Sequence, residues 1–164
     1  MPQPETCAIL GSKPSQVEAL QGDEVVDCPA CKGVMVIVEH DRIELDYCTE
    51  CAGIWFDHGE LDLLLDRLDL DSSAFSMDRL LALPEKRATE ATRSCPICRK
   101  KMRKVVVGSD PEVLIDVCPK GDGIWFDGGE VQQVLRQLID KDASAGGGEG
   151  RVISFLGEVF RASE

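Results

Sequence analysis

Seven cysteines stand at spacings whose chemistry is metal binding. Cys28, Cys31, Cys48 and Cys51 follow the order Cys-x2-Cys-x16-Cys-x2-Cys. Two Cys-x-x-Cys turns at the ends of a hairpin bring four thiolates into a tetrahedron, the arrangement that a structural zinc site needs. Gly33, just after the first pair, suits the left-handed backbone of such knuckles. Two disulfides or a thioredoxin-like redox pair would use the same residues. A redox Cys-x-x-Cys opens a helix beside a βαβ pattern, and no such pattern is present. Cys95, Cys98 and Cys118 repeat the order with nineteen residues in place of sixteen after the first pair, but Gly121 stands where the first copy has Cys51. The fourth donor of this second set is open between Asp122, Cys7, water and none. Three thiolates around one dication leave a net negative complex, a poor Lewis acid. The expectation is one complete zinc site and a second, weaker or incomplete one of structural kind.

The elements that position these cysteines are also duplicated. Gly-Ile-Trp-Phe-Asp-x-Gly-Glu occurs at 53–60 and again at 123–130. A Cys-Pro-x-Cys precedes each copy, so the chain reads as one unit used twice. After Cys31, Met35–Val38 and Ile43–Tyr47 alternate as a strand pair should; Val113, Ile115 and Val117 do so in the second unit. The second hairpin turn, 108–112, is three residues longer, an insertion placed at a tip. Asp57 with Glu60, and Asp127 with Glu130, read as helix caps rather than catalytic pairs. Leu61, Leu64, Leu65 and Leu68 then form an apolar helical stripe, matched by Val131, Val134, Leu135 and Leu138. Trp55-Phe56 and Trp125-Phe126 lie between knuckle and helix, placed to pack on each other. His58 has Gly128 as its counterpart and reads as an exposed first-turn residue. The predicted parts are an N-terminal arm (1–27), a ribbon with its helix (28–70), a helical connector and linker (71–94), a second ribbon with its helix (95–140), and a glycine-rich tether with an amphipathic C-terminal segment (141–164).

The duplicated stretch resembles the bacterial zinc-ribbon domains named after transcription factor IIB. Their pattern is Cys-Pro-x-Cys, a hairpin, then Cys-x-x-Cys-x-Gly-x-Trp-Phe/Leu-Asp-x-Gly-Glu-Leu, and it covers residues 28–65 and 95–135. The resemblance implies a small metal-stabilised α+β fold of two tandem zinc ribbons, each a β-hairpin with zinc knuckles followed by an amphipathic helix. It implies zinc on Cys28, Cys31, Cys48 and Cys51, and on Cys95, Cys98 and Cys118. Gly121 departs from the pattern. The family name points to transcription and carries little about activity.

Composition narrows the function. Thirty acidic against eighteen basic residues give a net charge of −12, whereas nucleic-acid binding draws on cations meeting phosphate. Units of about 40 residues need a metal or other staple, because so small a core rarely suffices. No apolar run approaches the ~20 residues of a membrane span, and no signal peptide is visible, so the expectation is a reduced, cytoplasmic protein. The function expected is a non-enzymatic, zinc-binding protein-interaction module, with regulation as one role for it. Two alternatives stand beside it. One is a transcription-linked nucleic-acid binder using the basic run Arg99–Lys104. The other is a metal-handling protein or enzyme with an open position at the second zinc. The stripe Val152, Phe155, Leu156, Val159 and Phe160 has two readings: a docking helix for a protein partner through residues 151–160, or a segment folded back on the domains.

Overall fold

A computed structural model describes residues 26–141, 151 and 154–156. Cys7, most of the N-terminal arm and the glycine-rich tether lie outside the described residues, as do Val152, Val159 and Phe160. Each copy of the repeat supplies three strands and a helix. In the first, β1 (Met35–His40) and β2 (Ile43–Cys48) form a hairpin, followed by β3 (Ile54–Asp57) and α1 (Glu60–Arg67). A connector with the short helix α2 (Met77–Ala82) leads on. The second copy supplies β4 (Arg103–Val107), β5 (Val113–Val117), β6 (Gly123–Phe126) and α3 (Glu130–Lys141).

The local causes are visible in the residues. Asp41 and Arg42 both take positive φ, 49° and 66°, the two-residue turn whose twist suits a tight hairpin. The longer turn of the second hairpin is held from α3. Gln137 Oε1 accepts from the Ser109 N–H at 3.0 Å, and its Nε2 donates to the Pro111 carbonyl at 2.7 Å. The end of α1 is closed by Asp69 in the left-handed region, with Leu70 N–H bonded to Leu65 O and Asp69 N–H to Asp66 O. This is the paired bonding that satisfies the last carbonyls of a helix.

The helix starts differ from the expected caps. Gly59, at φ 85°, precedes α1, and no side chain caps it. Asp57 instead accepts the Trp55 indole N–H at 2.7 Å, and Asp127 accepts that of Trp125 at 2.9 Å. The Glu half of the expected box does form: Glu60 accepts from Asp57 N–H at 2.8 Å and Glu130 from Asp127 N–H at 2.7 Å. An indole buried away from water needs a partner for its one donor, and that demand takes the aspartate.

Trp55-Phe56 and Trp125-Phe126 lie between knuckle and helix as expected, and there they form strands. β3 and β6 pair antiparallel with Trp55 opposite Trp125, giving one six-stranded sheet in the order β1-β2-β3-β6-β5-β4. The two copies are thus joined about a pseudo-twofold axis between the tryptophans. Alternation sends Ile54, Phe56, Ile124 and Phe126 to the face covered by α1 and α3. Phe56 and Phe126 meet there edge to face at 5.6 Å. Trp55 and Trp125 go to the opposite face, among Cys28, Cys48, Cys95, Cys118, Met35 and Met102. Each indole lies on the other copy's glycine. A Cβ on Gly53 would stand 2.1 Å from the Trp125 ring, and one on Gly123 would stand 2.4 Å from the Trp55 ring.

The extensions cross over as well. After α1, the connector sets Met77 against Gly121, and Arg103 donates to the Leu81 and Leu83 carbonyls at 2.7 and 2.9 Å. After α3, Arg151 pairs with Asp69, and Phe155 is fully buried with its ring 5.1 Å from that of His40. Of the two readings for the terminal stripe, folding back describes Phe155. Residues 85–94, a polar linker by composition, run along the outer edge of β4. Lys86 N–H bonds Lys104 O at 2.7 Å and Met102 N–H bonds Arg93 O at 2.9 Å.

Candidate metal centre

In each copy the turn before the hairpin and the turn after its second strand bring the cysteines together, and the antiparallel pairing of β3 with β6 sets the two clusters at opposite ends of the sheet. In the first copy Cys28, Cys31, Cys48 and Cys51 converge with all ligand atoms within 4.8 Å of one another. Cys31 and Cys48 Sγ are 3.4 Å apart, and Cys28 and Cys51 Sγ are 3.6 Å apart. A tetrahedron with Zn–S near 2.3 Å has sulfur–sulfur edges of about 3.8 Å, close to these values. They are far from the ~2.05 Å of a disulfide. Backbone N–H groups point at the sulfurs, Cys31 N to Cys28 Sγ and Gly33 N to Cys31 Sγ, both at 3.4 Å. Such donors stabilise thiolate over thiol. Lys32 and Ala52 supply the left-handed residues, at φ 67° and 57°; the role expected for Gly33 falls on its neighbour Lys32.

The second cluster is Cys95, Cys98, Cys118 and Asp122, again within 4.8 Å. Asp122 Oδ2 lies 3.1 Å from Cys118 Sγ and 3.6 Å from Cys95 Sγ, and Cys98 Sγ lies 3.5 Å from Cys118 Sγ. Among the candidates for the fourth donor, the described residues bring Asp122 to the place. The backbone explains how. In the first knuckle Ala52 is the left-handed residue and its N–H bonds Cys48 O; in the second, Gly121 is left-handed at φ 80° and its N–H bonds Cys118 O. Both turns close with the same bond, Cys48 N–H to Gly53 O and Cys118 N–H to Gly123 O. Moving the left-handed residue one place back moves the donor one place forward. Glycine is what the position requires, since φ is positive and a Cβ would press on Met77 Cγ at 3.3 Å.

Electrostatics fit a cation in both places. Burial pushes the Cys95 thiol up to about 12 and raises Cys51 and Cys118. Hydrogen bonds from the Cys98 and Cys118 thiols hold the Asp122 carboxylate below its usual range. Crowded thiols that resist ionising alone become thiolates when a dication shares the site. The donor sets, four sulfurs and three sulfurs with one carboxylate oxygen, both suit zinc.

His58 has a larger part than its exposure suggests. Its Nδ1 donates to Gly121 O at 2.9 Å and its backbone N–H bonds Asp122 O at 3.0 Å, so it braces the turn that presents Asp122. The reciprocal residue, Gly128, lies against the first knuckle, where a Cβ would stand 2.6 Å from Cys51 O. The His/Gly difference that made His58 look idle follows from this contact across the axis. The basic run is also redistributed. Lys104 is buried against Asp116 at 3.0 Å and Glu90 at 3.1 Å, and Arg103 is bound to the connector. Among the described residues no helix is long and apolar enough to cross a membrane.

No curated protein and no solved structure matches the chain. The family described as the transcription factor zinc-finger, of TFIIB zinc-ribbon type, matches residues 27–67 and 94–137. These two segments hold both cysteine clusters, both Gly-Ile-Trp-Phe-Asp strands, α1 and the first two turns of α3, and together they make up half of the sequence. The chain belongs to the TFIIB-type zinc-ribbon family, carried twice and closed into one sheet.

Proposed function

We propose that this protein is a non-enzymatic, cytoplasmic protein-interaction module held in shape by two zinc ions. Cys28, Cys31, Cys48 and Cys51 hold one, and Cys95, Cys98, Cys118 and Asp122 hold the other. The observation that carries this reading is the convergence of four protein donors in each knuckle. Structural zinc sites are closed in this way, whereas catalytic zinc keeps a position for water or substrate. The carboxylates nearest to an acid–base arrangement are otherwise engaged. Asp57 and Asp127 hold indoles, and Glu60 and Glu130 hold helix starts. The zinc therefore supplies stability, and the chain supplies a rigid surface.

A protein partner is favoured over nucleic acid by charge. The net charge is −12, and two cations of the basic run at 99–104 are committed inside the fold. Native mass spectrometry of the full chain tests the metal half, with two zincs per chain expected. One zinc, with Cys95, Cys98 and Cys118 alkylating freely in the folded protein, overturns it. Photo-cross-linking in cells tests the other half. Adducts with protein that resist nuclease are expected, and nuclease-sensitive adducts overturn it in favour of a nucleic-acid binder.

A further inference from the structure

The pseudo-twofold axis makes β1 and β4 equivalent edges, yet among the described residues β4 is covered further along its length than β1. Residues 86–94 run beside β4 and bond it at two places, Lys86 N–H to Lys104 O and, just before the strand, Met102 N–H to Arg93 O with Ser94 bridging Lys101. They also bring charge. Arg93 reaches Asp116 at 3.0 Å and Asp127 at 2.8 Å, and Glu90 meets Lys104, which itself meets Asp116.

On β1 the same pattern begins and then stops. Met35 N–H bonds Val26 O, the counterpart of Met102 with Arg93, and Asp27 bridges Val34. Ile37 takes the place of Lys104, and among the described residues no backbone group bonds its outer side. Val34, Val36 and Ile37 are 57%, 40% and 58% exposed, three of the five large apolar side chains that the described residues leave open. An open, apolar sheet edge is a template for another strand.

The acids beside this edge are unanswered. Asp46 pairs with Trp55 as Asp116 pairs with Trp125, and Asp57 corresponds to Asp127. The positions of Arg93 and Lys104 are held here by Val26 and Ile37. Among the described residues no cation meets Asp46 or Asp57.

We propose that the β1 edge is a docking site for an extended segment of a protein partner in which arginine or lysine alternates with apolar residues. Its backbone continues the sheet at Ile37, and its cation fills the place that Arg93 and Lys104 fill in the second copy, meeting Asp46 and Asp57. Its apolar residues cover Val36, on the face opposite to Ile37 and Asp46. This rests on the interaction-module reading and names the chemistry of its partner. The chain's own residues 19–26 are Ala-Leu-Gln-Gly-Asp-Glu-Val-Val, with two acids and no cation. A second copy would bring a like-charged acidic edge. Charge complementarity therefore selects a basic partner.

The test titrates the zinc-loaded full chain with a synthetic peptide of about ten residues alternating Arg and Val, with Glu replacing Arg in a control. Amide shifts of Val34–Glu39 should move saturably with the Arg peptide and not with the Glu peptide. Asp46→Asn should weaken binding roughly three- to tenfold. Ile37→Lys, at an exposed position, should abolish binding while leaving the fold and the zinc count intact, because it supplies the missing cation from within. Equal binding by Ile37→Lys, or no saturable binding, overturns the docking site. So does slow hydrogen exchange of the outward-facing Ile37 amide before peptide is added, which would mean the edge is already covered by residues 1–25 or a second copy. Shifts on another surface overturn the edge but leave the interaction module standing.

Discussion

Asp122 reaches the second cluster from one residue further along the turn than Cys51 reaches the first, and Gly121 makes that possible. Because the carboxylate is a harder donor than thiolate and partly open to water, the second zinc should leave first on mild chelation. Asp122→Ala should lower its affinity most. His58→Ala should lower it by about tenfold, the usual cost of losing a group that orients a ligand. Competition with a chromophoric chelator measures both, and an unchanged second site in Asp122→Ala would show that the carboxylate is no ligand. Gly121→Cys, which restores the family residue, should not restore a four-sulfur site. Its backbone is left-handed, and Met77 lies against the space its Cβ would take.

At the scale of elements, each helix begins on a glutamate that is half buried beside an aspartate. Glu60 and Glu130 are each pushed up to about 7, first by burial and then by Asp57 or Asp127, while the bond from the aspartate N–H pulls the other way. The unfolded chain has its glutamates near the ordinary 4.5. Between these values the folded protein holds more protons than the unfolded one. This contribution to stability is therefore complete below about 4.5 and is lost as pH rises through about 7. Glu60→Gln with Glu130→Gln keeps the acceptor for the N–H and removes the titration. Zinc-loaded protein unfolded in denaturant should show a wild-type midpoint falling against that of the double variant across this range. Parallel midpoints would place both glutamates in ordinary solvent.

The whole molecule behaves as one body because the copies share a sheet and exchange indoles. Gly53 and Gly123 leave no room for a methyl group under Trp125 and Trp55. Gly123→Ala, with its Cβ 2.3 Å from Phe56 O, should cost at least about 1–3 kcal/mol through overpacking. Cys48→Ser removes a ligand of the first zinc, whose binding is of order 10–16 kcal/mol in small zinc domains. Its effect should cross the axis, since β6 pairs with β3. Both halves should lose amide dispersion in a single transition. Native shifts surviving over residues 95–140 would show that the second ribbon stands alone.

Short-range chemistry was legible in the chain. Cysteine spacing located both knuckles, alternation located the hairpins, and the leucine and valine stripes located α1 and α3, because each depends on neighbours a few residues away. Even the second site was half legible, since Asp122 lies four residues from Cys118 and within reach of it. What crosses the axis was not legible. The repeated Gly-Ile-Trp-Phe-Asp has a place between knuckle and helix but no secondary structure of its own until another copy offers it a strand to pair with. Asp57 then serves the indole and not the helix. His58 is solitary along the chain and becomes a brace only against Gly121 of the other copy. Arg93, in a polar linker, becomes the cation for Asp116 and Asp127 only once that linker lies on β4. Phe155 could pack inward or outward until His40, more than a hundred positions away, is placed beneath it. A sequence records which groups need partners; which partners they find, when these are far along the chain, is settled by closing the sheet.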